Sequence, residues 1–392
     1  MSVSTRVTSL LRTHRQLRDS RAYSLLFQPR VLFNFARYAR EVKRHPLVMH
    51  ARPPSIEIEL TNRCNLACIQ CLRSQGLRPY QLGDITLANY RHFLAQFPEA
   101  RAVCLNGFGE PLMHAQFFEI VQHTVQAMPW AKITIYSNGM RLTDEIVQRL
   151  PGSGLTEINV SIDAATPETY RKVRRGGRLD VVHDNIRRLL AARRAAGTAF
   201  PLVGVNYVML NENEGELVPF LEQASELGVD FVNCVTYATY DWGFVNLRSR
   251  ESYGAELARA RVRLSELELN CRTFPSDDLS WTDRAQPFAC DFFWGSSVRV
   301  TYDGHVTLGC CTPFKETYSY GNLLDRPFSE IWNGALMQHN RELAARHEAP
   351  TSLCSACAEQ AHCFFDERDP EQVNHRPRRH MGPVAAPVPS DR

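Results

Sequence analysis

Between residue 55 and about residue 235 the chain alternates two hydrophobic periods. Apolar and polar residues alternate, or apolar and β-branched residues run together, at 56–60, 101–106, 131–137, 155–162, 202–209 and 229–235. Between these runs, near 86–97, 114–128, 143–150, 179–196 and 213–227, apolar residues recur every three to four positions. The first pattern suits a strand and the second gives a helix one apolar stripe. Six strands separated by helices predict an α/β fold with a parallel, helix-covered sheet, and six units suit a partial (β/α)6 barrel better than a closed eightfold one. An open dinucleotide-binding sheet would carry G-x-G-x-x-G after its first strand. Cysteines stand there instead.

The flanks read differently. Val31, Leu32, Phe35, Tyr38 and Val42 recur at helical spacing, with Arg37, Arg40 and Lys43 on the other face. This predicts a helix packed across the barrel with its basic face solvated. Arg52-Pro53-Pro54 then breaks helical continuity. Beyond the barrel, Leu257–Leu269 is amphipathic, and Ser297–Leu308 reads as a hairpin with Asp303-Gly304 at its turn. After Cys363 the chain is rich in proline, alanine and arginine without apolar periodicity, which predicts a disordered tail. The expected divisions are a basic helical extension (1–50), a barrel (51–240), a connecting helical segment (241–285), a small cysteine-bearing domain (286–368) and the tail (369–392).

Composition narrows the compartment and the partners. With 392 residues and a formal charge of +3, the chain has no global charge that would call for nucleic acid. Only the first fifty residues are strongly basic, with nine Arg and one Lys against Asp19 and Glu41. Twelve cysteines would suggest disulfides in a secreted protein. The N-terminus lacks the apolar core of a signal peptide and no apolar run reaches membrane-spanning length, so a cytoplasmic, reducing location is expected.

Candidate chemistry gathers where the strands end. Cys64, Cys68 and Cys71 follow the first strand with C-x3-C-x2-C spacing. Soft thiolates suit zinc or an iron–sulfur cluster, and no fourth ligand lies close by to close a structural zinc site. After the second strand comes Asn106-Gly107-Phe108-Gly109-Glu110-Pro111, where glycines allow close backbone approach and Glu110 can accept from an ammonium group. Ser137-Asn138-Gly139 ends the third strand and Ser161-Ile162-Asp163 the fourth.

This series resembles that of the radical S-adenosylmethionine (SAM) enzymes. The resemblance implies a radical SAM barrel in which Cys64, Cys68 and Cys71 hold three irons of a [4Fe–4S] cluster and leave the fourth for SAM. It also implies SAM contacts from Gly107, Gly109 and Glu110 (amino group) and from Ser137, Asn138, Ser161 and Asp163 (ribose and carboxylate). Arg174 stands where relatives place an arginine that pairs with the SAM carboxylate, and a solvated helix-end arginine is the competing reading. The residue before the third cysteine is usually aromatic and near the adenine; here it is Gln70.

A second cysteine set lies near the C-terminus. Cys290, Cys310 and Cys311 surround the hairpin, and Gly321-Asn322-Leu323 and Ile331-Trp332-Asn333 lead to Cys354-x2-Cys357-x5-Cys363. This resembles the SPASM/twitch extension of the same family, a β-hairpin-plus-helix domain. Glu367 replaces a cysteine of the full SPASM pattern, so the resemblance implies one auxiliary [4Fe–4S] cluster on Cys290, Cys310 or Cys311, Cys354 and Cys357, a set that leaves Cys363 unassigned. Zinc on the same residues is the alternative. Cys104, Cys234 and Cys271 are expected to be buried structural thiols; a hydrogen donor for an epimerase would be Cys234, at the end of the sixth strand. Trp281 and the aromatic run 288–294 are expected in the core rather than in a substrate cavity.

The function implied is reductive cleavage of SAM to a 5′-deoxyadenosyl radical, fed by a flavodoxin- or ferredoxin-type electron donor. The radical would abstract hydrogen from a small sugar- or aminocyclitol-like substrate, giving oxidation or epimerisation. Maturation of a ribosomally synthesised peptide is the alternative, and a non-catalytic metal-binding protein a third.

Overall fold

The structure, a computed structural model, describes residues 28–71, 73–74, 81–236, 250–275, 290–295, 297–308, 319–350 and 354. Helix α1 (Pro29–Glu41) precedes six parallel strands that pair in chain order: β1 (Ser55–Ile58), β2 (Ala102–Cys104), β3 (Lys132–Ser137), β4 (Glu157–Ser161), β5 (Leu202–Met209) and β6 (Phe231–Thr236). Helices α2 (Leu87–Leu94), α3 (Phe117–Ala127), α4 (Asp144–Arg149), α5 (Pro167–Val173), α6 (Leu179–Ala195) and α7 (Leu217–Leu227) lie between them. Local chemistry sets their ends. Thr86 caps α2 through Asn89 N–H, Thr166 caps α5 through Thr169 N–H with Pro167 at its first turn, and Gly228 ends α7 at φ 72°.

The strands present one face to the helices and the other to the barrel interior. Ile56, Val103, Ile133, Ile158, Val203 and Val232 are fully buried, each contributing about 1.5–3 kcal/mol by leaving water. Interior positions are polar. Asn233 Nδ2 donates to Asn206 Oδ1 at 2.8 Å and to Asn159 Oδ1 at 3.1 Å across three strands.

The structure departs from the sequence pattern in three places. After helix α8 (Arg250–Glu266), strand β7 (Cys271–Thr273) extends the parallel sheet beyond β6, inside the segment expected to be a helical connection. Three residues are too short to show a period; Arg272 fixes the strand by lying 3.5 Å over the Phe231 ring and pairing with Glu157.

The C-terminal hairpin forms as expected, from β8 (Val298–Val300) and β9 (His305–Leu308) with Gly304 at φ 95°, and short β10 (Gly321–Asn322) pairs with β9. Its β8 also pairs parallel with β1, so barrel and hairpin share a ten-stranded sheet ordered β10-β9-β8-β1-β2-β3-β4-β5-β6-β7. Helices α9 (Phe328–Trp332) and α10 (Ala335–Ala345) follow.

Helix α1 is turned relative to the expected stripe. Val31 is buried and Tyr38 and Val42 pack against the core, but Leu32 and Phe35 stay exposed while Asn34 and Glu41 are buried. Backbone satisfaction explains the turn. Asn34 exchanges two hydrogen bonds with the Arg52 backbone (2.9 and 3.0 Å), and Glu41 Oε2 accepts from His50 and Ala51 N–H. The segment after α1 is tied to the C-terminal part of the chain: Trp294, before β8, donates from Nε1 to Pro46 O, and from α9 and α10 Trp332 Nε1 donates to Ala51 O and Arg341 to Leu47 O. Phe293 and Trp294 are core residues, as expected. Trp281, Cys310, Cys311, Cys357, Cys363 and the tail lie outside the described residues. Among those described, no helix is long and apolar enough to cross a membrane.

Candidate active site

The loop after β1 carries Cys64, Cys68 and Cys71, and its backbone is fixed from several sides. Thr61 Oγ1 donates to Asp84 Oδ1, Asn62 Nδ2 donates to Gln81 O and its Oδ1 accepts from Gly83 N–H. On the other flank Ala67 N–H and Ile69 N–H donate to Arg175 O and Val173 O at 2.9 and 3.0 Å, which binds the loop to the end of α5. Beside this flank lies a cleft of about 280 Å³ lined by Cys68, Ile69, Ser74, Lys172, Arg175 and Glu212.

The segment after β2 meets the loop directly. Glu110 N–H donates to Arg63 O at 2.8 Å. Gly109 lies so close that a Cβ would overlap Thr61 O, and a Cβ at Gly107 would overlap the Glu59 side chain. Glu110 is 2% exposed and accepts from Ser137 Oγ (2.8 Å), Asn138 N–H (2.8 Å) and Leu112 N–H (3.2 Å). Burial pushes its carboxyl up, and these donors partly offset the push. A carboxylate has about four lone-pair sites, so one remains for a further donor such as an ammonium group.

Asn138 turns back to the cysteines, donating to Asn65 Oδ1 at 3.0 Å and lying 3.7 Å from Cys64 Sγ. Leu66 N–H also points at Cys64 Sγ, at 3.5 Å. Arg174 Nη1 lies 3.7 Å from Cys68 Sγ, and its Nη2 pairs with Asp163. Asp163 is fully buried and sits at φ 59°. Its Oδ1 accepts from Val208 N–H, its Oδ2 from Gln70 Nε2 at 2.7 Å, and its carbonyl from Asn213 Nδ2. Ser161 ends β4 and its side chain has no hydrogen bond among the described residues. Gly107, Gly109, Glu110, Ser137, Asn138, Asp163 and Arg174 thus converge on the cysteine loop.

Donors aimed at Cys64 and Cys68 suit sulfur that carries negative charge, the state a metal or cluster requires. Burial pushes both thiols up, so a bound metal would relieve that cost by taking up the thiolate charge. Among the described residues no three of His, Cys, Asp and Glu converge closely enough to chelate an ion as they stand. Three cysteines on one loop are the donor set of a cluster that leaves one position open, whereas a closed zinc site takes four.

Cys234 is buried and faces the helix layer, away from the interior where a hydrogen donor would stand: its register partner Tyr207 packs on Phe220 of α7, and Cys234 itself hydrogen-bonds with Cys271 in the core. Strand alternation places Asn233, not Cys234, on the interior face. Cys104 is the interior thiol, in register with Glu57 and Thr134, and burial pushes it well up. Sequence reasoning missed Glu59, Asn213 and the new role of Gln70. Cys290 and Cys354 are partly buried against the core; the rest of the expected auxiliary ligand set lies outside the described residues.

Comparison with known proteins agrees with this geometry. Residues 58–224 match the model of the radical SAM superfamily, and residues 290–358 that of SPASM, an iron–sulfur cluster-binding domain. The tungsten-containing aldehyde ferredoxin oxidoreductase cofactor-modifying protein of Pyrococcus furiosus is 26% identical over 79% of this chain and 88% of that protein. The PqqA peptide cyclase of Streptomyces rochei is 28% identical over 71% and 75%. The mycofactocin maturase MftC of Mycobacterium tuberculosis is 29% identical over 45% of this chain, and the match spans only 43% of that protein. In fold the chain resembles Streptococcus suis SuiB bound to precursor peptide SuiA, with a TM-score of 0.62, 14% identity and coverage of 86% of this chain and 80% of that one.

Proposed function

The chain belongs to the radical SAM superfamily and carries a C-terminal SPASM-type iron–sulfur cluster-binding domain, and from that premise we propose that it is a maturase of a ribosomally synthesised peptide. The observation that carries this reading is the alignment with PqqA peptide cyclase, which runs over 71% of this chain and 75% of that protein and so extends past the barrel match. The match to a mycofactocin maturase supports it. A sugar- or aminocyclitol-like substrate has less behind it, and its epimerising form would need a hydrogen donor other than Cys234, which faces the helices. A non-catalytic metal-binding protein would leave the convergence at the strand ends without a purpose.

Cys64, Cys68 and Cys71 would hold a [4Fe–4S] cluster with one iron open. With SAM bound there, the cofactors supply one electron and a hydrogen-abstracting 5′-deoxyadenosyl radical. The remaining tasks fall to side chains. The Gly107–Pro111 segment lets a ligand approach the backbone, Glu110 offers its last acceptor site to an ammonium group, and Asn138 orients the loop from β3. Cys290, Cys310 or Cys311, Cys354 and Cys357 are the proposed ligands of an auxiliary cluster which, fully ligated, would pass or accept electrons. A flavodoxin- or ferredoxin-type protein in a reducing cytoplasm is the proposed electron source.

Anaerobic reconstitution should load about eight iron per chain if both sites hold [4Fe–4S] clusters. Loaded enzyme with SAM and dithionite should release 5′-deoxyadenosine. Adding a short peptide encoded beside the gene should change that peptide's mass. Release of 5′-deoxyadenosine stimulated by aminocyclitols and by no such peptide would sink the maturase reading.

A further inference from the structure

We propose that Gln70, Asp163 and Arg174 form a positioning set that holds a guanidinium against the sulfur of Cys68 and thereby raises the reduction potential of the cluster on the loop. The proposal rests on the functional reading in one respect, that Cys68 is a cluster ligand.

Gln70 stands between Cys68 and Cys71, at the place where an aromatic residue facing the nucleobase is expected. Its amide is directed to the protein instead: Nε2 donates to Asp163 Oδ2 at 2.7 Å. The same oxygen receives Arg174 Nη2, and the other nitrogen of that fork, Nη1, lies 3.7 Å from Cys68 Sγ. The loop therefore reaches its own ligand sulfur through three side chains.

Asp163 is built to stay where it is. It has no exposed surface and occupies the left-handed region, which a non-glycine residue keeps only when its surroundings over-determine it. Val208 N–H fixes its second carboxylate oxygen at 2.8 Å. Asn213, also fully buried, donates to both Asp163 O and Val208 O and accepts from Leu210 N–H.

A guanidinium keeps its charge at any working pH. Reduction adds negative charge to a cluster, and hydrogen bonds to its sulfurs favour the reduced state, so a cation donating to Cys68 shifts the potential upward. Asp163 carries the opposite charge, but it binds the other nitrogen and shares its oxygens with Gln70 and Val208. Arg174 Nε is buried without a partner among the described residues. An alternative duty for the arginine, pairing with a SAM carboxylate, must be separated by the test.

The test is an EPR-monitored redox titration of reconstituted enzyme without SAM, with iron counted, in wild type, Arg174→Gln, Arg174→Lys and Gln70→Leu. SAM affinity is measured on the same samples by calorimetry. The midpoint should fall in Arg174→Gln, fall less in Gln70→Leu and Arg174→Lys, and fall no further in the Gln70→Leu/Arg174→Gln double variant, because Gln70 acts through the arginine. If Arg174→Gln fails to retain iron, Gln70→Leu and Arg174→Lys carry the measurement. Unchanged midpoints at full iron content overturn the proposal. So does a Gln70→Leu variant whose SAM affinity falls while its midpoint stays, since that returns Gln70 to the nucleobase. A wild-type chain that takes up no iron at the loop overturns the functional reading, and this proposal with it.

Discussion

Gly109 shows how little room the site leaves at single positions. A Cβ there would overlap Thr61 O and stand 2.6 Å from Arg63 O, both backbone atoms of the cysteine loop that cannot rotate away. At Gly107 the obstacle is the Glu59 side chain, which can shift only by giving up its hydrogen bond from Phe108 N–H, whereas at Gly109 the backbone itself must move. Gly109→Ala should therefore cost about 1–3 kcal/mol in urea unfolding and sharply reduce 5′-deoxyadenosine release, with Gly107→Ala milder on both. Equal effects of the two substitutions would show that the loop backbone yields as readily as the Glu59 side chain. Gly109 and Glu110 were legible because each sits in a short motif with its neighbours. Gln70, Glu59 and Asn213 were not: their partners lie 93, 49 and 50 positions away, and no local pattern marks such a pairing.

At the scale of elements, β1 to β6 were legible because each lies in an apolar run bounded by turns, a run that at three-residue β2 spans 101–106 and so outlasts the strand. Strand β7 has three residues, and its place depends on Arg272, whose partners sit on β4 and β6. The helix stripe of α1 misled because Asn34 and Glu41, polar in the sequence, are drawn inward by unpaired backbone at 50–52. Glu157 gives the β3–β4–β7 contact a test. It pairs with Lys132 at 2.8 Å and Arg272 at 2.5 Å. Burial raises its carboxyl, but hydrogen bonds from these two cations outweigh that and leave it below the usual value. A group that binds its proton more weakly when folded stabilises the fold above the unfolded value of 4.5 and loses that contribution as pH falls through the folded value. Glu157→Gln should thus cost about 1–2 kcal/mol near neutral pH, less than a fully buried pair because Lys132 and Arg272 remain partly solvated. The gap between variant and wild type in urea unfolding should narrow as pH is taken below 4.5.

At the scale of the molecule, the C-terminal hairpin is part of the barrel's sheet, which no sequence period announces because β1 and β8 lie some 240 positions apart. A chain ending before the hairpin would expose the β1 edge and uncover Met49 and Ala51, so it should be recovered mainly as aggregate. A soluble, cluster-loading barrel from that truncation would show the two parts to be independent. Glu59 makes the coupling specific. Its Oε1 accepts from Phe108 N–H at 2.9 Å, in the segment that faces the cysteine loop, and its Oε2 accepts from Tyr302 N–H at 3.3 Å, in the hairpin turn. The carboxylate thus joins the candidate SAM segment to the C-terminal domain. Burial pushes this carboxyl up, and the hydrogen bonds from Phe108 and Tyr302 and the charge of Arg299 partly offset the push. Glu59→Gln keeps an acceptor for Phe108 N–H but turns an amide donor toward Tyr302 N–H, so it should cost up to about 1–3 kcal/mol, the loss of one acceptor. Glu59→Ala removes the carboxylate from two part-buried N–H groups, at up to about 1–3 kcal/mol each, and breaks the tie between Phe108 and Tyr302. It should lower the melting temperature and weaken SAM binding together, whereas a side chain serving the hairpin alone would lower only the first; calorimetric melts and SAM titrations of the two variants separate these outcomes.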